Sequence, residues 1–152
     1  MKLQDYLKQQ GVAFEVRQHR PAYTAQEVAA EEHVSGDCTA KAVVVQADGK
    51  YLMCVLPASY KLDMERVSAA TKAKKVRLAD EGELAKLFPD AEVGAAPPIG
   101  SLYNLPTFVD QHLANSEQII FQAGTHREAV RMKYRDWEKL TDPTAVDLAV
   151  HL

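Results

Sequence analysis

The chain has 152 residues, of which 47% are hydrophobic and 26% are charged, and its formal net charge is −3. These values are typical of one folded domain with a single core, and they exclude a disordered or fibrous protein. No apolar run approaches the roughly 20 residues that span a bilayer, and the negative charge argues against wrapping a long nucleic acid. We therefore expect a cytoplasmic protein that binds neither membranes nor DNA.

Basic residues nevertheless cluster at two places, where a small contact with nucleic acid is conceivable. The clusters consist of Lys72, Lys74, Lys75 and Arg77, and of Arg127, Arg131, Lys133 and Arg135. Charged runs usually form the solvated face of a helix or strand. We interpret both clusters in that way.

The first third of the chain shows alternating helix and strand signals. Apolar residues at helical spacing predict a helix over residues 3–10, and alternation of apolar and polar residues predicts a strand over 12–16. Thr24 and Glu27 have the spacing of a capping box, in which each side chain satisfies a group of the other residue. This box predicts a helix over 25–32.

The middle of the chain predicts a hairpin followed by two capped helices. Two β-rich runs, 40–45 and 51–56, flank an Asp48-Gly49 pair that favours a tight turn. Aspartate caps and a short alternating run predict three further elements: a helix from Asp63 to Ala70, a strand over Val76–Leu78, and a helix from Asp80 to Leu87.

The last third predicts a shaped loop, three strands and two short helices. Residues 94–100 contain two prolines and two glycines, which exclude regular structure. The remaining predictions are strands over 105–109, 118–122 and 130–134, a helical turn capped by Asp136, and a last helix with Pro143 at its first position. Together the elements predict one α+β domain over residues 1–152, with a central mixed, largely antiparallel sheet.

Several families of enzymes are excluded by missing motifs. The chain has no G-x-S-x-G elbow, no phosphate-binding G-x-x-x-x-G-K-[ST] loop, no H-E-x-x-H and no G-x-G-x-x-G. Five histidines and two cysteines show no metal-ligand spacing, so we expect neither a metal site nor a cofactor. Cys54 lies within a predicted strand and is interpreted as a buried core residue rather than a nucleophile.

The order and spacing of short motifs over nearly the whole chain resemble the YbaK/prolyl-tRNA-synthetase-associated domain family. The motifs are His19-x-Pro21 before Thr24–Glu27, Lys41 before the strand 43–45, Leu56-Pro57, Lys61-Leu62-Asp63, Gly94-x-x-Pro97-Pro98-x-Gly100, the run from Leu105 to Asp110, and Phe121-Gln122-Ala123-Gly124.

The resemblance implies a mixed sheet that is partly closed like a barrel and flanked by helices. It also implies hydrolysis of the ester of a mischarged aminoacyl-tRNA by a free-standing protein. The expected partners are the acceptor end of the tRNA, with tRNA-Pro favoured, and prolyl-tRNA synthetase. A synthetase pocket discriminates one methylene by only about 1–3 kcal/mol, so a second, narrow site that removes small wrong amino acids is physically reasonable.

The resemblance also assigns candidate site residues. The functional lysine of the family falls on Lys41 and the glycine of its loop on Gly94, and these are the catalytic candidates. A backbone amide at a glycine can approach an oxyanion closely, and one such donor contributes roughly 10²–10³ in rate. The expected substrate-binding residues are Tyr23 and Thr24 at the adenosine end, the loop residues Ala95, Ala96, Pro97 and Pro98, and Asp110, Gly124 and His126.

Two departures from the family bear on the substrate. Ala42 stands where cysteinyl-type members often have threonine, and Ala123 stands where they commonly have serine. Both differences argue against a preference for cysteinyl-tRNA. Two alternatives remain open: a non-catalytic module that binds an aminoacyl-adenosine, a tRNA or a synthetase, and a hydrolase acting on another small ester or amide.

Overall fold

The computed structural model describes residues 2–152, which form five α-helices and ten strands. The helices are α1 (Lys2–Gln9), α2 (Ala25–Glu31), α3 (Met64–Thr71), α4 (Glu81–Leu87) and α5 (Tyr134–Thr141). The strands are β1 (Phe14–Gln18), β2 (Ala40–Ala47), β3 (Lys50–Pro57), β4 (Tyr60–Leu62), β5 (Val76–Leu78), β6 (Thr107–Asp110), β7 (Gln118–Gln122), β8 (Glu128–Lys133), β9 (Thr144–Val146) and β10 (Ala149–His151). Short 3₁₀ helices occupy Gly36–Cys38, Gly100–Tyr103 and Leu113–Asn115.

The strands form three sheets, and the largest has the order β5-β2-β3-β6-β9. In this sheet β2 is antiparallel to β3 and β5, whereas β6 is parallel to β3 and β9. A second sheet has the order β1-β8-β7, and β10 pairs with β4 in a third. The predicted α+β class with mixed, largely antiparallel pairing is confirmed.

The expected partial closure into a barrel is wrong. Closure requires strand pairing that continues around the whole sheet. Here the five-stranded sheet ends at two three-residue strands, β5 and β9. One isolated bridge, Thr39 to Ile120, links it to the three-stranded sheet. The sheets therefore stay separate and open.

Local turn and cap signals are confirmed by the structure. The Thr24 hydroxyl accepts the Glu27 amide at 3.1 Å and caps the start of α2. The Glu27 carboxylate accepts a hydrogen bond from that hydroxyl rather than from a backbone amide. Asp63 and Asp80 cap α3 and α4 as predicted. Asp48 and Gly49 both have positive φ, at 49° and 85°, which is the backbone of a tight hairpin turn.

The C-terminal part of the chain differs from the sequence prediction. Tyr134 begins α5 instead of ending a strand, and Asp136 lies in the first turn of α5 instead of capping it. Pro143 precedes the strand β9, where a helix was predicted. The pairing of β9 with β6 overrides the local helix signal, because a partner strand supplies hydrogen bonds that sequence periodicity does not reveal.

The main core lies between the β2–β3 hairpin, the three-stranded sheet, and helices α1 and α5. Its largest fully buried side chains include Trp137 and Phe121. The Trp137 indole N–H donates to the Pro98 carbonyl oxygen at 2.8 Å, which ties α5 to the predicted proline loop. Among residues 2–152, no helix combines the length and apolar character needed to cross a bilayer.

Candidate active site

A cleft of about 410 Å³ opens beside the first half of β2. Its main walls come from β2, the start of α2, and the segment that runs from α4 into the proline loop, while Gln122 of β7 and Leu152 add to the lining. The lining residues are Tyr23, Thr24, Ala25, Gln26, Ala40, Lys41, Ala42, Val44, Leu84, Phe88, Ala91, Glu92, Val93, Gly94, Ala96, Gln122 and Leu152. The cleft therefore combines small apolar surfaces with a few polar groups, as ligand sites commonly do.

Lys41 supplies the positive charge of the cleft. It is the second residue of β2 and is paired in register with Leu56 of β3, so its backbone is held by the hairpin. Burial lowers the pKa of its half-buried ammonium group. No residue from 2 to 152 forms a hydrogen bond or ion pair with that group. The ammonium is therefore available to an anionic or carbonyl group of a ligand.

Gly94 faces the cleft in a left-handed backbone conformation, with φ of +84°. Its neighbours are anchored, because the Gly124 amide donates to Ala95 O and the Glu92 amide donates to Gly124 O, each at 2.8 Å. The Gly94 amide has no acceptor within the described part of the chain. Among the residues that line the cleft, Gly94 thus offers an N–H donor that no protein group occupies.

His126 joins two walls of the cleft. Its Nδ1 lies 3.2 Å from Ala22 O and its Nε2 lies 2.9 Å from Val93 O. Its Cε1 would be 3.7 Å from a Cβ on Gly94. Both ring nitrogens already contact backbone carbonyl oxygens, which suits a clamp that positions the Gly94 loop better than a free general base.

Tyr23 and Thr24 form the outer rim at the start of α2. The Tyr23 side chain is 63% exposed, and its ring centroid lies 4.8 Å from that of His126. An exposed aromatic ring at the rim of a cleft provides a face on which a nucleobase can stack. Thr24 is also exposed and uses its hydroxyl to cap α2.

The structure separates the remaining predicted residues into three groups. Ala96 lines the cleft, whereas Ala95, Pro97, Pro98 and Gly124 are buried behind it and shape the loop. Asp110 is outside the cleft lining and has no exposed surface. Its carboxylate accepts the amides of Leu148, Ala149 and His112 and contacts His112 Nδ1 at 2.7 Å. These contacts give Asp110 a structural role at the end of β6.

Several lining residues were not named as site candidates from the sequence, and Glu92, Gln122 and Leu152 are among them. Gln122 is 9% exposed and donates from Nε2 to Ala22 O at 2.8 Å. Gln122 ends β7 and belongs to the Phe121–Gly124 motif, which is the sequence signal that marks it. Glu92 and Leu152 carry no such signal, because only the folding of distant segments brings them to β2.

Among the described residues, neither a cysteine thiol nor a metal-binding cluster lines the cleft. Cys54 has no exposed surface, and burial raises the pKa of its thiol to about 12. Such a thiol is not a thiolate at neutral pH. Across residues 2–152, no group of three His, Cys, Asp or Glu side chains is arranged to hold a metal ion.

The family model of the aminoacyl-tRNA editing domain matches residues 19–140. The chain belongs to this family. The matched segment contains Lys41, Gly94 and His126, and therefore most of the cleft of this editing domain. Leu152 lines the cleft from outside the matched segment.

One curated relative is the proline–tRNA ligase of Dehalococcoides mccartyi, which is 29% identical over 100 residues. The match covers 66% of this chain and 17% of the ligase, so the chain corresponds to a small part of that relative.

Solved structures share the fold of this editing domain. The hypothetical protein APE2540 matches with a TM-score of 0.89 and 22% identity, over 99% of this chain and all of that one (100%). A protein proposed to be a trans-editing enzyme for prolyl tRNA synthetase matches with a TM-score of 0.86 and 22% identity, over 98% of this chain and 95% of the other. At these identities the comparisons establish the fold alone.

Proposed function

We propose that this editing domain hydrolyses the ester bond of a tRNA that carries a wrong, small amino acid, with tRNA-Pro as the favoured tRNA. The observation that carries the proposal is the unpaired Lys41 ammonium in the same cleft as the unpaired Gly94 amide. The family membership supplies the substrate class, and the similarity to part of a proline–tRNA ligase favours tRNA-Pro.

Lys41 and Gly94 have separate roles in the proposed reaction. Water attacks the carbonyl carbon of the ester, and the carbonyl oxygen becomes an oxyanion. The Gly94 N–H donates to that oxygen, while the Lys41 ammonium stabilises the negative charge of the oxyanion or of the terminal phosphate. The bond between the carbonyl carbon and the ribose oxygen then breaks. The ribose oxygen takes a proton and leaves as a hydroxyl.

The cleft supports a small amino acid as the substrate. Ala40, Ala42 and Ala96 line the cleft, and their short side chains form an apolar wall that suits a small amino acid. Tyr23 provides a stacking face for the terminal adenine. The segment that ends at Leu152 completes one wall, so we propose that the working domain extends over residues 1–152 rather than over the matched segment alone.

The described residues of the cleft include no pair of a nucleophile and a base, so another group has to orient or deprotonate the attacking water. The cleft lining contains no serine, cysteine or aspartate, the Thr24 hydroxyl is occupied as a helix cap, and the Glu92 carboxylate accepts the His126 amide. The free hydroxyl of the terminal ribose lies beside the ester on the same sugar. We propose that this hydroxyl assists the attack of water.

A deacylation panel tests the activity and its specificity together. Alanyl-, seryl-, cysteinyl-, threonyl- and prolyl-tRNA are each incubated with the purified protein, and release of the amino acid is measured. We expect the small esters to be cleaved and cysteinyl-tRNA to be a poor substrate. Survival of every ester at micromolar protein, with binding retained, would instead establish a non-catalytic binding module.

A deoxy substrate tests the role of the ribose. The tRNA is prepared with the free hydroxyl of its terminal ribose replaced by hydrogen, and the aminoacyl ester is retained on the other oxygen. We expect this tRNA to compete normally for binding and to be cleaved at least about 100-fold more slowly in single-turnover experiments. Unchanged cleavage would show that a protein side chain acts as the base, and His126 and the lining carboxylate Glu92 would be the residues to substitute.

A further inference from the structure

Glu92 is the only carboxylate side chain among the residues that line the cleft. It lies two residues before Gly94, on the wall formed by the loop, whereas Lys41 lies on the wall formed by β2. The cleft therefore has one negative and one positive side chain on different walls. Neither Lys41 nor Glu92 forms an ion pair within residues 2–152.

The position of Glu92 is determined by three hydrogen bonds. Its amide donates to Gly124 O at 2.8 Å, and its carbonyl oxygen accepts the Ala95 amide at 3.0 Å. Its Oε1 accepts the His126 amide at 3.2 Å. Its Oε2 has no partner in the described part of the chain. One carboxylate oxygen thus anchors the loop, and the other is free to accept a bond from a ligand.

The proposed substrate carries charges that match this arrangement. An aminoacyl ester at neutral pH has a largely protonated α-amino group close to the carbonyl carbon, and the terminal nucleotide carries a negative phosphate. An ammonium is attracted to Glu92, and the phosphate and the developing oxyanion are attracted to Lys41. The opposite orientation would bring like charges together on both walls.

We propose that the free oxygen of Glu92 binds the α-ammonium group of the aminoacyl ester, which orients the carbonyl toward Gly94 and selects esters with a free amino group. This inference rests on the proposed hydrolase function. It implies that N-acylated aminoacyl-tRNA, which lacks the positive charge, is a poor substrate. The site would then distinguish a mischarged aminoacyl-tRNA from one whose amino group is already part of an amide bond.

Glu92→Gln separates this role from the anchoring of the loop. The glutamine keeps a side-chain oxygen that can accept the His126 amide, so the loop retains its hydrogen bond. It removes the negative charge that the ammonium requires. Glu81→Gln is the matched control, because Glu81 is exposed at the start of α4 and is outside the cleft lining.

The experiment uses three esters of one tRNA: alanyl, N-acetylalanyl and lactyl. The lactyl ester carries a hydroxyl where the alanyl ester carries its ammonium and is otherwise of similar size. Single-turnover kcat/KM is measured near pH 6, where the amine is protonated. Each variant is compared with wild type on the same ester, which cancels the differences in intrinsic reactivity.

We expect Glu92→Gln to lower kcat/KM for the alanyl ester about tenfold and to leave the lactyl and N-acetylalanyl esters within about twofold of wild type. Glu81→Gln should leave all three esters unchanged. Equal losses on the alanyl and lactyl esters would overturn the inference and give Glu92 a purely structural role, and so would no loss on either ester. If the wild-type protein cleaves none of the esters, the proposed function itself fails.

Discussion

Lys41 and Asp110 are acidic or basic side chains on two strands of one sheet that are separated by β3, and their surroundings are opposite. Asp110 ends β6, is fully buried, and accepts from three backbone amides while it also contacts the His112 ring. Lys41 lies near the start of β2, is half-buried, and has no partner within residues 2–152. Both residues belong to motifs that resemble the family, and the resemblance placed both of them in the site.

The difference shows how polar groups that hold the fold differ from those that remain available to a ligand. A buried carboxylate is tolerated when its oxygens are satisfied by hydrogen bonds, as those of Asp110 are. A partly desolvated ammonium without a partner costs folding free energy and is retained where a ligand uses it. Substitutions at the two sites should therefore affect different measured quantities.

Lys41→Ala should have the largest effect on activity. We expect deacylation to fall at least about 100-fold, because the charge that faces the ester is lost while no core packing is removed. Single-turnover release of the amino acid measures the loss, and thermal unfolding measures stability. Lys8→Ala, an exposed lysine outside the cleft lining, is the control and should change neither quantity.

A parallel loss of activity and thermal stability in Lys41→Ala would contradict the comparison. Lys41 would then be needed for folding, as we argue for Asp110.

Asp110→Asn should have the converse effect. The amide group of asparagine replaces one carboxylate oxygen with a donor, which leaves at least one buried backbone N–H without an acceptor. We expect the free energy of unfolding to fall by about 2 kcal/mol. The activity of the folded protein should stay close to that of wild type when it is measured well below the unfolding transition.

Chemical denaturation and deacylation by the same Asp110→Asn preparation test this expectation. A large loss of activity without a loss of stability would place Asp110 in the catalytic machinery and remove the contrast with Lys41.

Titration of Lys41 should make both the stability and the activity of the protein depend on pH. Burial lowers its pKa in the folded protein below the ordinary value of 10.5, so between these values the unfolded chain binds more protons than the folded one. The free energy of unfolding should therefore rise as the pH increases from the lowered pKa of Lys41 toward 10.5. Activity should fall over the same range, because the ammonium loses its charge.

Stability and the enzyme-dependent rate of deacylation of the lactyl ester, which has no titrating amine, are measured from pH 7 to 10, after subtraction of uncatalysed ester hydrolysis. Lys41→Ala should lack this part of the stability profile. A wild-type activity profile that stays flat across the range would show that the charge of Lys41 is not needed.

Cys54 should show the smallest effect on activity. Its thiol is fully buried with a pKa of about 12, so it is neither accessible nor ionised at neutral pH. We expect Cys54→Ser to keep its activity in the folded state and to lose about 1–2 kcal/mol of stability, because a hydroxyl is buried in an apolar cluster. Complete inactivation of a well-folded Cys54→Ser protein would identify a thiol nucleophile.

Interactions between residues close in sequence allowed many local elements of the fold to be predicted. The Thr24, Asp63 and Asp80 caps and the Asp48-Gly49 turn each depend on hydrogen bonds or dihedral angles within a few residues, and all of them were predicted. The same holds for the irregular loop between Gly94 and Gly100, because proline and glycine act on the local backbone. Lys41 and Gly94 were singled out by motif spacing, and their catalytic roles stay predictions.

Only the tertiary structure decided the features that depend on contacts between distant segments. Pairing with β6 made a strand after Pro143, and short edge strands left the sheets open. Glu92, Gln122 and Leu152 reach the cleft from three separate segments, while Asp110 is buried away from it. A local pattern sets which backbone states are favourable, but the burial and the hydrogen-bond partners of a side chain are set by the packing of the whole chain, which the spacing of residues does not encode.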